Sequence, residues 1–368
     1  MTATAPLAAT ESALAHPVLE GRNLTKYFSV KRGRGMFSGH ARLYAVEDVS
    51  LSLAPGAVTS LVGESGSGKT TVARMLAMII NPEAGEVLLD GEPAPQGRPR
   101  HYARQVQMVF QDPFASLNPV HRVRYHLARP LRIHHLAGDD LNVTIAELLR
   151  RVALDPPQQY MRKFPHELSG GQRQRVAIAR ALAVQPRVLL ADEPVSMLDV
   201  SIRLGVLNLL ADLRDREHLA ILYVTHDIAS ARYLADTIIV MYAGQVVESA
   251  PSTRLTDNPA HPYTQLLLSA APDPDRLEPP SLAGSGAPPN LITPPSGCRF
   301  HPRCPHAMAI CSAKAPPSVS VSSGHAASCW LHVDPAQRRV ESDGQPSDIV
   351  TPSRPGAVSP DRHHPEED

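Results

Sequence analysis

The stretch Gly63, Glu64, Ser65, Gly66, Ser67, Gly68, Lys69, Thr70 has the residue types and spacing needed to hold a chain of phosphates. Its glycines let backbone N–H groups turn inward around anionic oxygens, and a helix starting here adds the partial positive charge of its N-terminus. Lys69 would reach the β- and γ-phosphates, and the Thr70 hydroxyl would ligate Mg²⁺. A Gly/Ser-rich surface turn has a similar composition. However, the apolar run Val58 to Val62 ahead of the loop and the helix-compatible Thr71 to Ile80 behind it supply the strand, loop and helix order that such a loop requires. The reading is a nucleoside triphosphate site.

Three further groups could act on that ligand. The run Val188 to Ala191 ends in Asp192 and Glu193, as a buried parallel strand delivers carboxylates to a sheet edge. Asp192 would enter the Mg²⁺ shell and Glu193 would polarise the attacking water, although an Asp-Glu pair also suits an ordinary helix start. A third run, Ile221 to Thr225, ends in His226, which could bond a γ-phosphate or simply sit on the surface. Between them, Ser169, Gly170, Gly171 and Gln172 precede a helix-compatible segment from Arg173 to Val184 and form a second phosphate-binding device.

Stepping from these residues to their supports, the three apolar runs predict a mainly parallel α/β core sheet. The 368-residue length leaves room for smaller units beside it. Composition divides the chain into an Ala/Thr-rich N-terminus over 1–16 expected to be disordered, a catalytic domain over 17–268, a Pro-rich linker over 269–296, a Cys-bearing extension over 297–333 and a mobile polar tail over 334–368. Lys+Arg and Asp+Glu both count 36, so no long-range field gathers nucleic acid or an anionic membrane surface. With no membrane-spanning run and no signal-peptide pattern, the chain is expected to stay in the cytoplasm.

The order of these motifs from about Leu19 to Val247, Leu-Ser-Gly-Gly-Gln ahead of a strand ending in Asp-Glu and then a His, resembles the ATP-binding cassette (ABC) family. The resemblance implies a P-loop NTPase fold with an antiparallel β subdomain and a helical subdomain beside the core sheet. It aligns Gln111 with the glutamine that touches Mg²⁺ and reports to a transmembrane partner. Asp199, in Ser196-Met197-Leu198-Asp199, aligns with the D-loop carboxylate, and Phe28 with the aromatic that stacks on adenine, with Tyr27 as its possible replacement. It also implies head-to-tail dimers in which Ser169 to Gln172 of one subunit closes over ATP on the P-loop of the other.

The continuation Asp112 to Pro119, the segment Asn258 to Thr264 and the Cys-bearing extension resemble the ATPase subunits of dipeptide and oligopeptide importers. The implied partners are a second ABC ATPase subunit, identical or paralogous, two transmembrane permease subunits, and an extracytoplasmic solute-binding protein acting through the permease. Nucleic acid is not among them, and the place is the cytoplasmic face of the cell membrane. Two alternatives stand beside this reading: a soluble ABC protein acting on ribosomes or DNA, and an exporter subunit. The single cassette and lack of basic excess disfavour the first, and the absence of fused membrane spans disfavours the second.

All four cysteines, Cys298, Cys304, Cys311 and Cys329, fall in the extension with the pattern C-x5-C-x6-C-x17-C. In a reducing compartment such a set points to a shared ligand, [4Fe–4S] or Zn²⁺, with free or disulfide-linked thiols as the remaining option. The wider gaps suit a cluster better than paired zinc knuckles, and the family resemblance also favours iron–sulfur in a structural or redox-sensing role. His301, His306 and His325 are possible substitute ligands. Since the nucleotide motifs lie outside this extension, ATP binding is expected to be independent of it.

Overall fold

The computed structural model describes residues 16–31, 39–95, 97, 99–270 and 286–338. The expected disorder of residues 1–15, most of the Pro-rich linker and the tail from 339 onward lie outside the described residues.

A four-stranded antiparallel sheet is formed by β1 (Leu19–Lys31), β2 (His40–Leu53), β4 (Ala84–Leu89) and β5 (Glu92–Pro93), in the order β2-β1-β4-β5. The main sheet contains β3 (Val58–Val62), β6 (Val106–Val109), β7 (Val188–Asp192), β8 (Ala220–Thr225), β9 (Thr237–Tyr242) and β10 (Gln245–Pro251). It is completed by β11 (Ser318–Ser322) and β12 (His325–Ser328), and its order is β11-β12-β10-β9-β3-β8-β7-β6. From β9 to β6 all neighbours are parallel, as the apolar runs predict.

Every residue of β3, β7 and β8 is buried, because both faces of the sheet are covered. Ile221 and Tyr223 of β8 enter one core, shared with the helices Val123–Ile133, Leu141–Arg151 and Gly170–Leu182. Ala220, Leu222 and Val224 enter the other, shared with the antiparallel sheet and the helix Lys69–Leu76. The period-two alternation of a strand thus divides one apolar run between two cores. The parallel edge of this sheet carries the loops that hold the site.

The C-terminal extension joins the cassette. β12 pairs antiparallel with β10, Glu248 opposite Ala327, so the C-terminal segment extends the core sheet itself. Residues 286–296, assigned above to the linker, also pack on the cassette: the Tyr44 amide donates to the Leu291 carbonyl over 3.0 Å. The physical reason is that β10 would otherwise be an open edge, and strand addition satisfies its backbone groups.

Candidate nucleotide site and cysteine cavity

The loop after β3 closes around its own lysine. Lys69 Nζ donates to the Gly63 carbonyl at 2.7 Å and the Glu64 carbonyl at 2.8 Å, and lies 3.4 Å from Ser67 Oγ. Burial lowers its pKa from the ordinary lysine value, an effect opposed by Glu193, Asp192 and Glu64. Gly68 has φ +101°, and a Cβ there would stand 2.3 Å from the Ala45 carbonyl oxygen, so only glycine fits. Thr70 Oγ1 donates to Asp192 Oδ1 over 2.9 Å. Burial raises the Asp192 pKa, and the Thr70 bond partly offsets it. These two oxygens could serve a divalent cation; Gln111, the third expected ligand, lines the same cleft as Thr70.

Glu193 lines the same cleft in a left-handed conformation, φ +44°. Its Oε2 accepts from Gln111 Nε2 at 2.8 Å and lies 3.5 Å from His226 Nδ1. The cleft has a volume of about 700 Å³, ample for a nucleoside triphosphate. Glu64, Ser65, Gly66, Gly68, Lys69, Thr70 and Thr71 line it together with Gln111, Glu193 and His226. Phe28, Leu43, Ala45, Leu267 and Leu291 form an apolar end suited to a base. Phe28, not Tyr27, faces the cleft; Tyr27 pairs with Tyr44 and carries Arg42 over its ring.

Ser169, Gly170, Gly171, Gln172 and Asp199 do not line this cleft. Ser169 caps the helix Gly170–Leu182 reciprocally, its Oγ accepting from the Gln172 amide at 3.3 Å while its own amide donates to Gln172 Oε1 at 3.1 Å. Beside this loop, Met197 and Val200 are 57% and 79% exposed, an apolar surface around Asp199 that a second chain could cover.

The four cysteines line one small cavity together with Phe300, Met308 and Trp330. None is in a disulfide, which corrects the disulfide alternative. Gly297, at φ +66°, brings the chain so close to Cys311 that a Cβ would lie 2.3 Å from its carbonyl oxygen, and the Cys298 amide donates to that oxygen at 2.8 Å. Burial pushes the Cys298 and Cys329 thiols up to about 11 and also raises Cys304. Among the described residues, no three His, Cys, Asp or Glu are gathered tightly enough to hold one metal ion. His301 and His306 reach the cavity, whereas His325 does not serve there: its Nε2 pairs with buried Glu248 at 2.7 Å.

Several site residues escaped the sequence reading. Tyr263 OH accepts from the Glu64 amide at 2.8 Å, and Arg303 of the extension grips the Glu64 carboxylate at 3.0 Å with each terminal nitrogen. The Asn258–Thr264 segment is itself held by Glu248, which accepts from the Ala260 and His261 amides at 2.8 Å each.

Residues 46–196 match the ABC transporter family. Residues 247–311 match the C-terminal region of oligopeptide and dipeptide transporters. The Di/tripeptide transport ATP-binding protein DppF of Pseudomonas aeruginosa is 43% identical, covering 81% of this chain and 93% of the relative. The chain belongs to the ABC transporter family. It is an ATPase of that family, with a mainly parallel core sheet, an antiparallel sheet and helices packed beside them. The Oligopeptide transport ATP-binding protein AppF of Bacillus subtilis is 39% identical over 86% of this chain and 97% of its own length. Among solved structures, cbiO1 of Clostridium perfringens, part of the ABC transporter complex cbiONQ, superposes with a TM-score of 0.57 at 25% identity. It covers 66% of this chain and 92% of that cassette. The dimeric ABC transporter cassette MJ0796 gives 0.54 at 29% identity, covering 64% and 98%. The C-terminal match favours a transporter subunit over an ABC protein acting on ribosomes or DNA. No helix of the described residues is long and apolar enough to cross a membrane.

Proposed function

We propose that this chain energises import of dipeptides or oligopeptides as a peripheral ATPase on the cytoplasmic face of the membrane, working with a second ATPase subunit, two permease subunits and a solute-binding protein. The observation that carries the catalytic part is Glu193, poised between Gln111 and His226 in the cleft. Lys69 and the loop amides bind the phosphates, Phe28 packs on the base, and Glu193 orients water toward the γ-phosphate. Thr70, Asp192 and Gln111 would hold Mg²⁺, which neutralises charge on the transferring phosphoryl group. His226, 3.5 Å from Glu193, donates a hydrogen bond to that group.

Ser169 to Gln172 and Asp199 complete the site of a partner subunit, a role supported by their absence from the cleft of their own chain and by the exposed apolar residues beside them. ATP then acts across the interface, and its hydrolysis lets the pair separate and moves the permease. The [4Fe–4S] reading, ahead of Zn²⁺, is supported by the four thiols lining one cavity and by their wide C-x5-C-x6-C-x17-C spacing. Cys298, Cys304, Cys311 and Cys329 would hold the cluster, which would supply a structural or redox-sensing centre. Reconstituting the ATPase with its co-purifying permease in vesicles tests the transport reading. ATP-dependent uptake of a labelled dipeptide or short peptide, lost in Lys69→Ala, is expected. A complex that co-purifies with ribosomes or DNA and no permease would overturn it.

A further inference from the structure

Residues 291–303 are fastened to the cassette at three points. Leu291 lines the base end and accepts from the Tyr44 amide at 3.0 Å. Arg299, buried, bonds the Glu47 carboxylate and the Ala243 carbonyl. Arg303 meets Glu64 through two parallel hydrogen bonds of 3.0 Å, and its Nη1 also lies 3.3 Å from Tyr242 OH. The last contact joins the two sites most directly. Arg303 is the residue before Cys304, in the short turn His301–Arg303 fixed by bonds from the Arg303 amide to Phe300 and from the Cys304 amide to His301.

Glu64 places a carboxylate in a loop that must bind a polyanion, where an unpaired negative charge opposes the phosphates. Its backbone is already committed: the carbonyl accepts from Lys69 and the amide donates to Tyr263. Its carboxylate is paired with Arg303, whose side chain is 11% exposed. A two-pronged guanidinium–carboxylate pair fixes orientation as well as charge.

We propose that Arg303 is a positioning residue of the nucleotide site, which neutralises and holds Glu64 and thereby makes nucleotide affinity depend on the state of the four-cysteine cavity beside it. The proposal rests on the nucleotide-site reading above, but not on which group the cysteines hold.

The test uses the full chain and titrates a non-hydrolysable Mg–ATP analogue by calorimetry. Arg303→Gln keeps bulk against the Tyr242 and Phe300 rings while removing the charge. It is expected to weaken binding about tenfold, the scale of a lost charge-assisted pair. Adding Glu64→Gln should recover most of that loss, since the repelling charge is then gone; a role in folding alone would not be rescued this way. Arg303→Lys, which retains the charge, should lose less than Arg303→Gln and supplies the comparison if the latter folds poorly. Alkylating the thiols after removal of any bound metal should weaken binding by the wild-type chain and change the Arg303→Gln chain little further.

Affinity within about twofold of wild type for Arg303→Gln, or a double variant as weak as Arg303→Gln alone, would overturn the proposal. Equal losses on alkylation in both chains would overturn the link to the cavity. Iron, zinc and thiol contents measured on the same samples report separately on the cluster reading. Failure of Lys69→Ala to weaken binding would instead indict the nucleotide-site assignment.

Discussion

Gln111 and Glu193, 82 residues apart, are joined by a hydrogen bond of 2.8 Å from Nε2 to Oε2. The first follows β6 and the second follows β7, adjacent parallel strands in which Val109 lies opposite Ala191. A displacement of the Gln111 loop would thus be felt at the carboxylate proposed to orient water. Gln111→Ala should lower kcat about tenfold or more while changing the KM for ATP much less, because the bond positions a catalytic group. Steady-state ATPase measurements check this, and an altered KM with unchanged kcat would contradict it.

Lys69→Ala removes the ammonium that ties the Gly63 and Glu64 carbonyls and that is proposed to meet the phosphates. Mg–ATP affinity should fall about tenfold or more. Unaltered affinity in a binding titration would remove the phosphate-loop reading.

Ser169→Arg breaks a reciprocal cap and places a long cation on the loop that would meet the partner's nucleotide. Loss of the cap costs about 1 kcal/mol of helix stability. The expected result is a chain that still binds nucleotide in its own cleft yet does not hydrolyse it. Collapse of binding by the same chain would show that the site is not shared between subunits.

At the cysteine cavity, Gly297→Ala should cost about 1–3 kcal/mol, since its left-handed backbone and its approach to the Cys311 carbonyl both exclude a Cβ. Chemical denaturation measures the loss. Anaerobically purified wild-type protein should carry about four irons and four sulfides per chain, with visible absorption lost in Cys304→Ser. Colourless protein with stoichiometric zinc would replace the cluster by a zinc site, and metal-free protein would dismiss both.

Local motifs made the nucleotide site legible in the sequence. The phosphate loop, the carboxylates after β7 and His226 after β8 each sit at the end of an apolar run, and buried parallel strands bring those ends to one edge. Phe28 was legible only as a resemblance, and the cleft distinguishes it from Tyr27. The contacts of the extension were not legible. Arg303 with Glu64 spans 239 residues, and His325 with Glu248 spans 77, so no periodicity links either pair. Strand addition by β12 was hidden for a related reason: Ser318 to Ser328 is short and polar, and its pairing depends on an edge supplied by β10.

Glu193 is proposed to drive hydrolysis in a site that binds ATP without it, and Glu193→Gln separates the two steps. The amide keeps the shape and the neighbours Gln111 and His226 while losing the charge that orients water. Mg–ATP affinity and turnover should be read on one preparation. Affinity near that of wild type, with turnover reduced by about a hundredfold or more, is the predicted result. Turnover within about threefold of wild type would contradict the account.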